Sequence, residues 1–588
     1  MTADQPPAQV PAPLTAPGAE STSLNRRMFL AMLGAAGAAG ATAGLGPRWF
    51  SLPALAADAP KIDPAYPHGI ASGDPLPDGT VLWTRVDPAA DLGAGVDVHW
   101  EVAADDTFAA ILASGNVTTS AASDHTVHAV VDGLAPDGWY SYRFTYGTHV
   151  SRTGRLRTAP ALGSSPDRLR FAWCSCQQIN PSFYVAHAAM AAEDLDFVVH
   201  YGDYIYVSDG GTLTLDDYWG VYKRFKENPY LQELHATYPM VVMWDDGEFV
   251  NGIDRTMEPV RFAAARQAWF DYQPVVRRTD DPEQIYRAIP WGDLVDFTLL
   301  DVRTNRDRLI DSNDQTTLLP TTDTNLPSGA AIFAEGRTCL GPDQKAWLKR
   351  RLTEGDFTWR HIGQGYPFIP LRLEDYDTPE ARANPPAGFH VNGGKYASTE
   401  TWDGYWAERR ELMDHLVEFN VPNVVITSGH THIYFAAGLR PDYDDLDHSP
   451  IVAREFVCGS LTADPDPRAQ YFPALPKAEA EAAIHGLEGA FLGLNPQVDY
   501  IDLLNQGYGV VTFTPSEARV DLRVIDTFDE HAVAVTKQSY TVADGELPTA
   551  APGAGEPPST TTPADGSGTT VPDAPGAAPV SGSPTFTG

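Results

Sequence analysis

The feature that most constrains the fold is a series of short, mostly apolar runs separated by segments with helical spacing. Strands that are apolar throughout are typical of sheets that helices cover on both faces. Helices are predicted between these runs at 342–352 and 406–419. We therefore expect residues 165–544 to form a large α/β domain with a two-sheet α/β sandwich. The apolar runs are 169–174, 195–201, 239–244, 295–300, 359–363 and 423–427.

The segment before this domain follows a different pattern. Between about residues 65 and 160, polar and apolar residues alternate, and turn-forming residues separate the alternating runs. Alternation with a period of two predicts strands that bury only one face. We therefore expect a small all-β sandwich of the immunoglobulin or fibronectin type at 60–162.

Both ends of the chain differ in composition from the rest. Residues 1–57 contain Arg26 and Arg27, followed by an Ala/Gly/Leu stretch and a small-residue cleavage site. This pattern is typical of a twin-arginine signal peptide, and the stretch is short and glycine-rich for a transmembrane helix. We expect export by the twin-arginine machinery to an extracellular, periplasmic or cell-wall location. Residues 545–588 are rich in Pro, Gly, Ser and Thr, and we expect a disordered tail without a stable membrane anchor.

The net charge bears on the partners of the protein. The chain has 41 Lys and Arg residues against 77 Asp and Glu residues, which gives a net charge of −36. Such a surface repels phosphate backbones, so nucleic acid is not expected as a structural partner. Binding of a phosphate group would need local cations, and metal ions are the obvious source. The four cysteines are too few for a disulfide scaffold, and buried free thiols are favoured for those that do not bind metal.

Potential metal ligands follow four of the apolar runs. Ligands of open α/β folds bind at the carboxyl ends of strands, so these four strand ends can converge on one site. Taken singly, each motif has a simpler explanation, such as a turn at 245–248 or a buried, unreactive thiol. Their combination favours a metal site. The candidate ligands are Cys176, Asp203, Tyr206, Asp246, His430 and His432.

The chemistry of these side chains suggests two metal positions. Cys176 and Tyr206 are anionic when bound and, with the nitrogen of His432, favour a trivalent ion such as Fe3+. Asp203 has two oxygens and can bridge to a second ion.

The second ion would be held by Asp246 and His430. Two ions about 3.5–4 Å apart stabilise the attacking and the leaving oxygens of an in-line displacement, with a hydroxide between the ions attacking phosphorus.

In this order, the motifs resemble alkaline phosphatase D, a calcineurin-like metallophosphoesterase family related to purple acid phosphatases. The resemblance implies a hydrolase of small phosphoesters with Fe3+ on Cys176, Asp203, Tyr206 and His432 and Ca2+ or another divalent ion beside it. It also places Arg303 near the site, where a phosphate contact or a structural salt bridge are the alternatives. The matching motifs are Ser-Cys-Gln at 175–177, Gly-Asp-Tyr-Ile-Tyr at 202–206, Trp-Asp-Asp-x-Glu at 244–248, Leu-Asp-x-Arg at 300–303, Trp-Asp-Gly-Tyr at 402–405 and Gly-x-x-His at 429–432.

Two departures from the family pattern matter for function. Gly247 stands where the family usually has a histidine, which removes a general acid worth about 10²–10⁴-fold and leaves room for a bulkier substrate. His430 stands where the family often has an aspartate, which favours Zn2+, Mn2+ or Fe2+ over Ca2+ as the second ion. The alternatives are therefore a phosphodiesterase or phospholipase D-like enzyme, or a catalytically decayed protein that binds metal or phosphate.

Overall fold

The computed structural model describes residues 61–87, 95–179, 183–207, 213–278, 280–310, 322–325, 329–463 and 466–546. The predicted signal peptide at 1–57 and residues 547–588 of the predicted tail lie outside these ranges. Among the described residues, none of the helices has the length and the apolar composition needed to cross a membrane.

The described strands are numbered in chain order. They are β1 (Ile70–Leu76), β2 (Gly79–Arg85), β3 (Val96–Ala103), β4 (Ile111–Thr119), β5 (Thr126–Val131), β6 (Trp139–Tyr146), β7 (His149–Val150), β8 (Gly154–Arg157), β9 (Leu169–Cys174), β10 (Phe197–His200), β11 (Met240–Val242), β12 (Arg287–Trp291), β13 (Val295–Leu299), β14 (Thr322–Asp323), β15 (Trp359–Gly363), β16 (Arg372–Asp375), β17 (Gly394–Tyr396), β18 (Val424–Ser428), β19 (Tyr434–Leu439), β20 (Ala453–Val457), β21 (Val498–Asp502), β22 (Gln506–Phe513), β23 (Glu517–Ile525) and β24 (Val535–Ala543).

The described α-helices are numbered in the same way. They are α1 (Val185–Ala191), α2 (Leu215–Lys226), α3 (Pro229–Thr237), α4 (Pro259–Tyr272), α5 (Gly341–Thr353), α6 (Pro379–Ala383), α7 (Trp406–Glu418), α8 (Pro467–Tyr471) and α9 (Lys477–Leu494).

The molecule is a mixed α/β fold with two large sheets. The first sheet has the order β24-β23-β22-β9-β10-β11-β1-β2-β5, and the second has the order β12-β13-β15-β18-β20-β19-β21. Strands β9, β10 and β11 are parallel, as are β13, β15, β18 and β20. The predicted two-sheet α/β sandwich is thus the fold that the structure has. The apolar runs predicted at 169–174 and 359–363 coincide with β9 and β15.

The two sheets pack face to face through aromatic side chains. The ring of Phe171 on β9 lies 5.0 Å from the ring of Phe297 on β13, and the ring of Trp359 on β15 lies 5.6 Å from that of Phe513 on β22. Helices cover the outer faces. Tyr218 of α2 packs in the core of the first sheet, while the core of the second receives leucines from α5 and α7. This burial on both faces explains the continuous apolar runs.

The sequence of residues 507–524 predicts alternating strands with one exposed face, but β22 is buried along almost its whole length. It lies inside the first sheet between β23 and β9, so both of its faces are covered.

The N-terminal region is all-β, as predicted, but it is joined to the large domain. Strands β4, β3, β6 and β7, with β8 beside β6, form a separate sheet. An apolar core containing Val98 and Phe144 of this sheet packs against Leu82 and Val127 of β2 and β5. The facing strands β1, β2 and β5 continue the nine-stranded sheet, because β1 pairs with β11 in parallel.

Candidate metal centre

The candidate ligands lie in the turns that follow the carboxyl ends of the strands. The backbone N–H of Cys176, after β9, donates to the carbonyl of Gly202, after β10, at 3.2 Å. The turn after β18 meets the turn after β9, since the N–H of His430 donates to Oγ of Ser175 at 3.3 Å. The structure therefore brings the predicted strand ends together.

The backbone turns sharply at four of the ligand positions. Cys176, Asp203, His430 and His432 have φ angles of 61°, 53°, 68° and 59°. Residues other than glycine rarely adopt positive φ, which costs of order 1–3 kcal/mol at each position. These turns direct four side chains into one buried space, and such strain is concentrated at functional sites.

The first donor set consists of a thiol, a carboxylate, a phenol and an imidazole. Oδ2 of Asp203 lies 3.4 Å from Sγ of Cys176 and 3.2 Å from the hydroxyl of Tyr206. The Tyr206 hydroxyl lies 3.2 Å from Nε2 of His432. The four side chains predicted to hold the first ion are thus in mutual contact around one small volume.

The second donor set shares Asp203 with the first. The ligand atoms of Asp203, Asp245, Asp246 and His430 all lie within 4.8 Å of one another. Nδ1 of His430 is 2.7 Å from Oδ2 of Asp245 but 3.8 Å from Oδ1 of Asp246. Asp246 was the predicted ligand, and Asp245 was not predicted, because the Asp-Asp pair follows a strand end where alternation no longer indicates direction.

Arg303 lies inside the second donor set. Its Nε donates to Oδ1 of Asp245, its Nη1 lies 3.5 Å from Oδ2 of Asp246, and its Nη2 lies 3.0 Å from Nδ1 of His430. The side chain is fully buried. Of the two alternatives raised for Arg303, the structure contains the salt bridge.

Two backbone-supported contacts orient the shared carboxylate. The N–H of Gly247 donates to Oδ1 of Asp203 at 2.8 Å, which leaves Oδ2 facing both donor sets. Glu248 was not predicted as a site residue. It is buried and accepts the backbone N–H groups of Asp203, Tyr204 and Asp245 at 3.0, 2.8 and 2.9 Å. It ties the turn after β10 to the turn after β11.

The expectation that Gly247 leaves room for a bulkier substrate is wrong. A Cβ atom at this position would lie 2.6 Å from Oδ1 of Asp203 and 2.6 Å from the carbonyl oxygen of Ile205. The space is filled by the site itself, because the loop after β10 approaches the backbone of Gly247. Glycine is therefore required here by close packing against the shared ligand.

The electrostatics of the site favour the binding of cations. Burial raises the pKa of Asp203 well above its usual range, and the carboxylates of Asp245 and Asp246 raise it further. Burial likewise raises the pKa of the Cys176 thiol. Burial also acts to raise the pKa of Asp245, but the Arg303 guanidinium and the His430 ring together outweigh it, so that pKa lies below its usual range.

The two donor sets differ in how well their chemistry fits the metals predicted from the sequence. The first set, with its thiol, phenol, imidazole and carboxylate, fits a metal ion that stabilises the anionic forms of its ligands. The second set fits an ion only where the guanidinium of Arg303 withdraws from between its members.

The remaining cysteines are buried free thiols, as the sequence analysis favoured. Cys174, Cys339 and Cys458 are unpaired within the described residues, and Cys176 has its thiol in the first donor set.

Comparison with known proteins gives consistent matches over most of the chain. The profile of the PhoD-like phosphatase family matches residues 171–522, and that of the PhoD-like phosphatase N-terminal domain matches residues 53–160. Alkaline phosphatase D of Bacillus subtilis (strain 168) is 32% identical over 510 residues, covering 81% of this chain and 80% of that protein.

A solved structure agrees with this match. It is described as the structure of PhoD and has a TM-score of 0.69 and 28% identity, and the alignment covers 83% of this chain and 92% of that chain. A purple acid phosphatase from yellow lupin seeds matches with a TM-score of 0.47 and 12% identity, over 81% of this chain and 73% of its own.

Proposed function

The chain belongs to the PhoD-like phosphatase family of metal-dependent phosphoester hydrolases, and we propose that its reaction takes place at a metal ion held by Cys176, Asp203, Tyr206 and His432. The observation that carries this proposal is the contact of these four chemically different donors, which come from three separate strand ends. Phenolate and thiolate ligands favour Fe3+ as the ion.

The bound metal would supply the positive charge that stabilises phosphoryl oxygens and activates the attacking water. The residues of the chain supply the rest. Asp203 is oriented by Gly247 so that a single oxygen faces both donor sets. Arg303 presents a planar guanidinium that matches phosphoryl oxygens in charge and geometry.

A two-metal form of this proposal has support from the second donor set. Asp245, Asp246 and His430 lie close to Asp203 and could hold a divalent ion, Ca2+ by family resemblance or Zn2+, Mn2+ or Fe2+ by the imidazole of His430. The contacts of Arg303 within the same set count against it.

Phosphodiesters are a second candidate substrate class, alongside phosphomonoesters. Position 247 has no imidazole to protonate a leaving group, and close packing prevents a larger side chain there. Loss of a general acid matters less for substrates whose leaving groups are already good. This favours activated esters, whether monoesters or diesters, over alkyl esters.

Turnover by metal-loaded protein tests the proposal. We expect hydrolysis of p-nitrophenyl phosphate or bis(p-nitrophenyl) phosphate, and a loss of at least about 100-fold together with loss of bound metal in Asp203→Asn. Asp442→Asn is a matched control, because Asp442 belongs to an acidic group with Asp377 and Asp444 that shares no residue with the donor sets. Metal-loaded protein that hydrolyses neither ester would instead be the binding protein of the alternative hypothesis.

We also propose that the protein is exported by the twin-arginine machinery, which the residues around Arg26 and Arg27 support. Replacement of both by lysine is expected to leave unprocessed protein in the cytoplasm. Export of the double variant at the wild-type level would refute this part of the proposal.

A further inference from the structure

Arg303 occupies the position between the donors of the second set. Its three guanidinium nitrogens each meet a different member, Asp245, Asp246 or His430. Because of these contacts, the donor atoms already have partners within the protein. Oδ1 of Asp245 accepts from Arg303 and Oδ2 of the same carboxylate lies 2.7 Å from Nδ1 of His430. A second metal ion would have to replace the guanidinium as the partner of these atoms.

The guanidinium also packs against an aromatic ring. Its central carbon lies 4.7 Å from the centre of the Tyr366 ring, a cation–π distance. The Tyr366 hydroxyl donates to the carbonyl of Val302 at 2.8 Å and lies 2.9 Å from Sγ of Cys339. The N–H of Arg303 donates to Oδ1 of Asp301 at 3.0 Å, and that oxygen also accepts from the indole N–H of Trp244. The ring and the backbone therefore both fix Arg303.

Withdrawal of Arg303 would be unfavourable. The side chain is fully buried, and its described charged partners are the carboxylates of the second donor set. A buried guanidinium that loses its counter-charges keeps its desolvation penalty without compensation. An ion entering this position would have to displace a positive charge and leave it buried nearby.

One group of the guanidinium remains available for a ligand. Nη1 is buried and makes no hydrogen bond within the part of the chain that the structure describes. Buried N–H groups are nearly always paired, so an unpaired one at a substrate site points to a bound acceptor. Phosphoryl oxygens are acceptors that match a guanidinium in charge and geometry.

We propose that Arg303 takes the place of the second metal ion, so that the protein holds one ion per chain and the guanidinium supplies the second positive charge to the phosphoryl group. This inference rests on the proposed phosphoesterase function and modifies its two-metal form. Arg303 then binds substrate directly, through Nη1, while Asp245 and Asp246 hold the guanidinium in place.

The test is the number of metal ions per chain. Chelator-treated protein is reloaded with Fe2+ in air, then offered Ca2+, Zn2+ and Mn2+, desalted, and analysed for metal content. We expect one ion per chain in the wild type and two in Arg303→Gln, where the carboxylates lose their organic cation. Arg303→Lys retains a cation and is expected to bind one ion.

Arg306→Gln is the matched control for unspecific binding to this acidic chain. Arg306 is equally buried and lies 5.7 Å from the same Tyr366 ring, but it donates to the carbonyls of Ile253 and Glu400 instead of to the donor set. It is expected to bind one ion, as the wild type does.

Two ions per chain in the wild type would overturn the proposal, and so would a single ion in both the wild type and Arg303→Gln. If Arg303→Gln does not fold, the wild-type count and Arg303→Lys still decide, since two ions in either would refute the proposal. A single ion with no ester turnover would instead count against the proposed function, so the two failures can be told apart.

Discussion

Replacement of Gly247 by alanine is the smallest change that tests how the shared ligand is positioned. The added Cβ atom would lie 2.6 Å from Oδ1 of Asp203 and 2.6 Å from the carbonyl oxygen of Ile205, both closer than the 3.0 Å that real Cβ contacts keep. The Ile205 oxygen belongs to the backbone and cannot rotate away. The Asp203 carboxylate is the group that can move, and it would lose its 2.8 Å hydrogen bond from the Gly247 N–H.

The expected effect has two parts. Overpacking of this kind costs about 1–3 kcal/mol, and the usual gain of about 0.4–1 kcal/mol from glycine to alanine offsets part of it, which leaves a net loss of roughly 1–2 kcal/mol in the free energy of unfolding. Misorientation of Asp203 is expected to lower metal affinity about 10–100-fold, the typical effect of losing a contact that orients a ligand.

Chelator competition measures the metal affinity, and denaturant unfolding measures the stability. Gly486→Ala is the matched control, because Gly486 lies within α9 and an added Cβ would meet no atom within 4 Å. It is expected to leave metal affinity unchanged and to raise stability by up to about 1 kcal/mol. Histidine at position 247, the residue common in the family, is expected to be worse than alanine. Unchanged metal affinity in Gly247→Ala, or a gain of activity in Gly247→His, would refute this reasoning.

Three further predictions follow from single residues. Tyr206→Phe removes the phenolate donor, so the visible absorption of iron-loaded protein should shift or disappear while far-ultraviolet circular dichroism stays unchanged. An unaltered spectrum would exclude Tyr206 as a ligand. Glu248→Gln replaces a carboxylate that accepts three backbone N–H groups, so denaturant unfolding should show a loss of about 2 kcal/mol or more, and stability equal to the wild type would contradict this. Glu455 has its pKa raised by burial from 4.5 to about 7, so the folded protein binds this proton more tightly than the unfolded chain does. Its contribution to stability is therefore fully present below pH 4.5 and is lost as the pH rises to about 7, by about 3 kcal/mol. The pH dependence of unfolding should be flatter by this amount in Glu455→Gln, and equal slopes would show that Glu455 is not the cause.

The two-sheet architecture could be predicted because its strands carry a strong signal. Strands β9 and β15 are buried along almost their whole length, so apolar residues predominate in them despite Arg170, Arg360 and His361, and their bounds could be set from the sequence. The connection of the N-terminal region could not. Strand β1 joins the large sheet through the pairing of Gly73 with Met240, and no property of either residue in the sequence indicates which sheet receives the strand.

The ligand types of the candidate site could be predicted, while their arrangement could not. A thiol, carboxylates and imidazoles after several strand ends suffice to suggest a metal site. Which acid of the pair Asp245 and Asp246 meets His430 depends on a turn whose direction the residue types do not reveal. The position of Arg303 between them depends on the packing of the Tyr366 ring against the guanidinium, a contact between segments far apart in the chain. The requirement for glycine at 247 comes from the approach of Ile205, which is again a contact between segments far apart in the chain.

The strain and the charge of this site act in the same direction. Cys176, Asp203, His430 and His432 hold positive φ angles, and each costs of order 1–3 kcal/mol that the surrounding structure must offset. The shared carboxylate and the thiol are also buried beside other acids, which opposes their anionic forms. A cation relieves the second cost directly and, by binding Cys176, Asp203 and His432, stabilises three of the four turns that carry the first. Formation of the folded site and binding of its metal are therefore linked, since free energy gained by ion binding stabilises the conformation that binds it.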